Sequence, residues 1–272
     1  MIGVLLVVGY ALLVIAVGIE VFFKTTSWLS KTDRLIFPVP LYSVIGWGIV
    51  AFLLALGLEG LILFSSGMTT GMLILTFLVG PIEEGAKLLP FVVKERESTL
   101  VRWYLTIRTA LVFGILEALL YFWVLVSMGN ILGAILRGII VMFHVVWTAI
   151  ALEGALRGSL WDGYLKAALL HSLYDAPILL LYILGDLAGF VALISVFALL
   201  YIHDSVDETF RFTVSYAKKL VERKREVYAA FEEKHEMLGY GDEEMPGAEE
   251  TEKENQKEEN ENESPEGFTS SP

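Results

Sequence analysis

The fold class follows from residues 71–87, GMLILTFLVGPIEEGAK, where an apolar run leads directly into Glu83, Glu84 and Lys87. A charge at the centre of a bilayer costs roughly 2.5–3.5 kcal/mol on insertion scales. Apolar runs of about 20 residues recur along the chain, each long enough to cross the hydrocarbon layer as a helix. With 55% hydrophobic residues and a mean hydropathy of +0.62, we expect an all-α polytopic transmembrane helical bundle of about seven spans.

The order of apolar runs and polar links predicts helices at residues 2–23, 41–65, 71–94, 105–128, 131–156, 162–184 and 187–203. Lys and Arg occur in the first, third and fifth links and after the last run, whereas the second, fourth and sixth links contain none. Basic loops stay on the cytoplasmic side of a membrane. We therefore expect an integral membrane protein of the cell membrane, with its amino terminus outside and its carboxyl terminus in the cytoplasm.

Composition divides the chain into a transmembrane domain (residues 1–203), a cytoplasmic amphipathic helix (204–238) and a disordered acidic tail (239–272). In the second segment Val206, Phe210 and Val214 recur at helical spacing among basic residues. This pattern indicates a helix on the anionic inner leaflet of the lipid bilayer or against a partner, with a plain extension of the last span as the alternative. Residues 232–272 hold 15 acidic and 3 basic side chains and so account for the whole net charge of −12, which is typical of disorder.

Four of the predicted spans carry ionisable side chains at nearly one depth. Counted from the start of each span, Glu84 and Glu117 lie about 13 residues in, His144 about 14 and His171 about 10. At a rise of about 1.5 Å per residue, these positions fall within a few ångströms of one level. Each group alone has a structural explanation, such as a buried ion pair or an interhelical hydrogen bond. A shared level predicts a single site instead.

Glu117 and three further residues are placed to support that site. Lys87 follows the paired glutamates by four and three residues and can pair with either of them. Arg137 precedes the first histidine by two helical turns, where it can snorkel towards the surface or clamp a carboxylate. Asp175 follows the second histidine by four residues, on the same helical face, and can fix the imidazole tautomer or share a ligand with it.

These residue types suit the activation of water. Adjacent glutamates point about 100° apart on a helix, so at most one of Glu83 and Glu84 faces a shared centre. A carboxylate can take a proton from water while the imidazoles hold the water or stabilise an oxyanion. Alternatively, Glu84, His144 and His171 could bind zinc or another divalent metal and leave a position open for water. The sequence contains no HExxH motif and no cysteine, and no nucleic-acid motif stands out.

The order of the motifs resembles the PrsW family of intramembrane proteases, which is related to the CAAX-processing endopeptidases and bacteriocin-immunity membrane proteins. The motifs concerned are Glu83-Glu84-x-x-Lys87, Phe113-Gly-x-x-Glu117, Arg137 followed by His144, and His171-x-x-x-Asp175. The resemblance implies that Glu83, Glu84, His144 and His171 are catalytic and that the substrate is a membrane-anchored protein. The chain departs from the family pattern at Ala118 and Asp175, where Asn is usual, and its Leu88 replaces the Arg of the CAAX-processing pattern.

Two other classes of protein use the same kinds of residue. In a proton- or cation-coupled transporter, the buried carboxylates and imidazoles would relay or bind ions. Such carriers often show internal repeats with broken helices at matching positions, and the sequence shows no internal repeat. In a catalytically inactive membrane scaffold of the same fold, the buried groups would hold helices together while the cytoplasmic end recruits partners.

Overall fold

The described part of the chain, residues 2–36 and 39–237 of the computed structural model, is helical and contains no strand. The expected all-α architecture is therefore confirmed. A 3₁₀ turn at Gly185–Leu187 joins the last two helices. The helices are α1 (Ile2–Asp33), α2 (Leu41–Ser66), α3 (Met68–Lys87), α4 (Leu89–Val93), α5 (Thr99–Ser127), α6 (Ile131–Leu156), α7 (Leu160–Leu184) and α8 (Ala188–Met237).

Five helical segments in the described residues are long and apolar enough to cross a membrane, as an integral membrane protein requires. They are α1, α2, α5, Gly133–Leu156 within α6, and Gly185–Arg223, which contains the first part of α8. The other two expected spans, α3 and α7, are not among these five. The count of seven spans and the orientation of the chain ends stay predictions.

Helix α6 lies at the centre of the bundle and is contacted by α1, α5 and α7. Of its apolar window, 65% is buried inside the protein, compared with 17% for α2. Phe143 and Trp147 are completely buried on it. A helix enclosed on several sides can hold polar side chains away from lipid, so α6 supplies the interior position that a membrane-embedded site requires.

Two glycines let the helices that carry the ionisable residues approach closely. A Cβ on Gly80 of α3 would lie 2.0 Å from the backbone oxygen of Ala168 on α7. A Cβ on Gly114 of α5 would lie 2.9 Å from the His144 ring and 3.0 Å from the Val141 oxygen on α6. Small residues at such crossings allow the helix backbones to come together.

Helix ends differ from the sequence-based ranges where packing or proline intervenes. α3 ends at Lys87 rather than at residue 94, because Pro90 has no N–H to donate to the preceding turn. α1 continues to Asp33 rather than ending at residue 23, because Trp28 and Leu29 are buried in the core. The apolar contacts of these two residues outweigh the polar composition of the expected link.

Helix α8 runs unbroken across the expected boundary between residues 203 and 204. One compact unit covers Met1–Leu220 and the other begins at Val221. Val206 and Phe210 are buried within the first unit, where Phe210 stacks on Trp28 at 4.2 Å between ring centroids. This part of the expected amphipathic helix is therefore an extension of the last apolar segment that packs on α1. The acidic tail expected at residues 239–272 lies outside the described residues.

Candidate functional site

The buried ammonium group of Lys87 contacts several of the predicted residues. Its side chain is completely buried, and its Nζ lies 2.6 Å from Glu84 Oε1 and 3.6 Å from Glu83 Oε2. The same Nζ lies 3.1 Å from His144 Nδ1 on α6 and 4.8 Å from the centre of the Phe113 ring on α5. One ammonium group thus connects α3, α5 and α6. The sequence predicts that Lys87 pairs with either glutamate, and in the structure it contacts both.

Glu84 has partners at both of its carboxylate oxygens. In addition to Lys87, His171 Nδ1 lies 2.8 Å from Oε1, and the Thr148 hydroxyl donates to Oε2 at 3.1 Å. Its side chain is completely buried. A buried carboxylate with this set of donors is already stabilised, so Glu84 has little capacity left for a ligand.

Glu83 differs from its neighbour because its Oε2 is buried and accepts no hydrogen bond. The atom lies 3.5 Å from His144 Nδ1, 3.6 Å from His171 Nε2 and 3.6 Å from Lys87 Nζ. An unpaired buried polar atom is costly and calls for an explanation. Here it lies at the point on which both histidines converge, so Glu83 is the glutamate that faces the shared centre.

The His144 ring is held from both sides. Its Nε2 lies 2.6 Å from Glu117 Oε2, and Glu117 in turn forms an ion pair with Arg137. Because an ammonium group only donates hydrogen bonds, His144 Nδ1 accepts from Lys87 and Nε2 carries the proton that goes to Glu117. This network assigns His144 to the neutral Nε2–H tautomer. Arg137 clamps a carboxylate, which is one of the two roles expected for it, and lies over the Tyr121 ring.

The His171 ring lies between two carboxylates. Its Nδ1 is bonded to Glu84, and its Nε2 lies 3.2 Å from Asp175 Oδ2. Since ionised carboxylates only accept hydrogen bonds, both ring nitrogens must donate, and the arrangement suits the imidazolium form. The ring also stacks on Trp147, with 3.8 Å between ring centroids. The expected pairing of His171 with Asp175 is thus present.

One acidic residue near the site has no counterpart in the predicted set. Glu59 is the only acidic or basic residue of α2, and its Oε1 is buried without a hydrogen-bond partner. It lies on the helix that covers Phe113, whose ring packs beside Lys87 and His144. In the sequence, Glu59 is a single acidic residue within an apolar run. No regular spacing connects it to a second polar residue or to the predicted site.

The metal hypothesis is tested by the donor atoms near Glu83. Glu83, His144 and His171 each place one potential ligand atom within 4.8 Å of the others, so the set differs from the predicted one by containing Glu83 instead of Glu84. A metal needs a free lone pair on each ligand. His144 Nδ1 already accepts from Lys87, and an ammonium group only 3.1 Å away would repel a bound cation. The donor set therefore does not fit a metal ion in this arrangement.

No family model, curated protein or solved structure matches this chain. The resemblance to the PrsW family stays a prediction based on the motifs quoted above. The interpretation of the site accordingly depends on its geometry.

Proposed function

We propose that the chain is an intramembrane endopeptidase that hydrolyses a peptide bond of a membrane-anchored protein, using water activated by Glu83. The observation that carries the proposal is the unpaired Oε2 of Glu83, buried between two imidazoles and an ammonium group. A carboxylate placed in this way can bind water and remove its proton. The order of the four motifs, which resembles the PrsW family, supports the same reaction.

The proposed reaction assigns a separate role to each group. Glu83 takes a proton from water as the water oxygen attacks the peptide carbonyl carbon, and it returns the proton to the leaving amine when the C–N bond breaks. His171, held as a cation between Glu84 and Asp175, stabilises the oxyanion of the tetrahedral intermediate through its positive charge, because both of its N–H groups are already bonded. Lys87 neutralises Glu84 and fixes the His144 ring. These groups are preorganised because their side chains are buried and bonded to one another.

The test compares isosteric variants of the two neighbouring glutamates. The full-length protein, reconstituted with epitope-tagged single-span membrane proteins, is assayed for cleaved fragments, and its thermal unfolding is followed in detergent. We expect E83Q to lose activity and keep its stability, because Oε2 accepts no hydrogen bond. We expect E84Q to lose both, because it leaves Lys87 without its closest carboxylate.

The matched control is E153Q. Glu153 is likewise a mostly buried glutamate of the helical bundle. It accepts hydrogen bonds from Arg157 and, at 2.6 Å, from the Thr209 hydroxyl, and none of its hydrogen bonds involves the Glu83 cluster. Cleavage by the wild type and E153Q but not by E83Q supports the proposal. Cleavage by E83Q at the wild-type rate would overturn it.

The finer topology is part of the proposal: seven spans, with the amino terminus outside and the carboxyl terminus in the cytoplasm. Its support is the distribution of Lys and Arg among the links. Because the chain contains no cysteine, single cysteines report their side of the membrane without background. A membrane-impermeant maleimide added to intact cells should label M128C in the fourth link but not R96C in the third. The reverse pattern would invert the topology.

A transporter is the second candidate, and Glu59 is the observation that favours it. It adds an unpaired buried carboxylate oxygen to the carboxylates of Glu83, Glu84, Glu117 and Asp175, and chains of acidic residues and histidines relay protons in membrane carriers. Reconstituted vesicles with an entrapped pH indicator would show proton uptake that E59Q abolishes. Proton movement without any proteolysis would favour the transporter, whereas proteolysis in tight vesicles would favour the peptidase.

A further inference from the structure

A cavity of about 630 Å³ lies between α1 and α8 and shares no lining residue with the Glu83 cluster. Four basic side chains line it: Lys24 and Lys31 from α1, and Arg211 and Lys218 from α8. Asp207 is the one acidic residue in its wall. A cavity with this excess of cations is complementary to an anion.

The two helices run parallel, which places the basic residues opposite one another. Near one end of the pair, Gly3 of α1 packs against Gly189 of α8. Further along, Trp28 Nε1 donates to Thr213 Oγ1 at 3.2 Å. On each helix the two basic residues are seven positions apart, so they lie two turns apart on one face, about 10 Å from each other. The cavity is therefore a cleft with a pair of cations on each wall.

Most of the positive charge in the cleft is not neutralised. Asp207 is bonded to Lys24 at 2.9 Å, and Lys24 also pairs with Glu20. Arg211 donates through Nε to the Asp207 carbonyl oxygen, which leaves its guanidinium charge unpaired. Among the described residues, neither Lys31 nor Lys218 forms an ion pair. Three cations are thus available to a ligand.

The position of the cleft along the helices identifies the kind of anion. On α1 the apolar run ends at Phe23 and is followed by Lys24, and on α8 the apolar run ends at Ile202, shortly before Asp207. The stacked rings of Trp28 and Phe210 form the apolar part of the wall, and Phe23 is 68% exposed beside it. The cleft thus begins where the apolar runs of both helices end, with apolar surface on one side and cations on the other.

We propose that this cleft binds the phosphate headgroup of an anionic membrane phospholipid. The cations would contact the phosphate, while the acyl chains would run along the apolar surface beside Phe23. Basic pockets between helices at the cytoplasmic surface bind such headgroups. A free phosphate ion would use only the cations and leave the aromatic wall exposed. The acidic carboxyl-terminal segment, residues 239–272, has only three large apolar side chains to offer that wall: Tyr240, Met245 and Phe268.

The test measures lipid binding to the full-length protein in neutral detergent, by native mass spectrometry and by thermal unfolding. The probes are short-chain phosphatidylglycerol, phosphatidylcholine with the same chains, and inorganic phosphate. The variant K31Q/K218Q removes two cations of the cleft. The control K94Q/R96Q removes the same charge from the exposed link before α5, away from the cleft.

We expect phosphatidylglycerol to bind and stabilise the wild type and the control, and phosphatidylcholine and phosphate to do so much less. At about 1 kcal/mol per basic residue near a membrane surface, K31Q/K218Q should bind phosphatidylglycerol about 30-fold more weakly. Equal binding by K31Q/K218Q and the control would overturn the proposal, as would equal stabilisation by phosphate. A loss of stability in K31Q/K218Q without lipid, absent from the control, would show that the chain itself fills the cleft and would also overturn it.

Discussion

The strongest energetic prediction concerns the replacement of Lys87 by methionine, which keeps the length of the side chain and removes its charge. Lys87 Nζ and Glu84 Oε1 are 2.6 Å apart and completely buried. At an effective dielectric constant of about 20, two unit charges at that distance attract one another by about 6 kcal/mol. Desolvation offsets part of this attraction, and breaking a buried pair by removing one partner costs about 3–5 kcal/mol.

We therefore expect K87M to lower the free energy of unfolding by about 3–5 kcal/mol. The second variant, K87M/E84Q, removes both charges and should recover much of that loss, since replacing a whole buried pair is often nearly neutral. The double-mutant cycle of K87M, E84Q and K87M/E84Q isolates the coupling between the two side chains. The measurement is equilibrium unfolding in mixed micelles, with the exposed K94M as a control that should change stability by no more than about 0.5 kcal/mol.

Two results would refute the reasoning about Lys87. A loss of less than about 1 kcal/mol in K87M would mean that the pair is hydrated and its charges are screened. A double variant as unstable as K87M alone would mean that Lys87 stabilises the bundle through His144 or the Phe113 ring rather than through Glu84. Either result would show that the ion pair between Lys87 and Glu84 does not stabilise the bundle as proposed.

Two further predictions concern packing and metal dependence. G80A should destabilise the bundle by about 1–3 kcal/mol or more, because its Cβ would overlap the Ala168 backbone oxygen on α7. The control G57A should be neutral or stabilising, because its Cβ would meet nothing within 4 Å. Thermal unfolding of both variants tests this prediction, and equal stabilities would contradict the close approach of α3 and α7. Proteolysis should survive dialysis against a metal chelator, because the Lys87 ammonium occupies the lone pair of His144 Nδ1; a loss of activity that zinc restores would show that Lys87 moves away and a metal takes its place.

The position of the site could be predicted from the sequence because depth in a membrane is set by counting residues along a helix. His144, His171 and the glutamates of α3 meet as their shared level predicts. Which of Glu83 and Glu84 faces the centre could not be predicted, since adjacent positions differ only in their partners across the bundle. That choice depends on Thr148 and His171, which satisfy Glu84 and leave Glu83 Oε2 unpaired.

Other differences have equally local causes. Glu59 was not predicted as part of the site because one acid in an apolar helix has no spacing that points to a partner. The extension of α1 to Asp33 depends on Trp28, whose contact with Phe210 joins residues far apart in sequence. Periodicity within one helix carries no information about such long-range contacts. The misfit between the predicted metal ligands and a metal ion could not be predicted either, because it arises from the position of the Lys87 ammonium group beside His144.

Helix α2 packs on the rest of the bundle through small side chains, and this affects how firmly the polar interior is closed on that side. Its buried residues are Val44, Gly48, Ala51 and Ala55, and side chains of this size remove little apolar surface from contact with lipid or protein. α2 is also the helix that carries Glu59 and covers Phe113, the ring beside Lys87 and His144. The helix that closes this side of the polar interior is therefore held by small side chains, and only 17% of its apolar window is buried inside the protein.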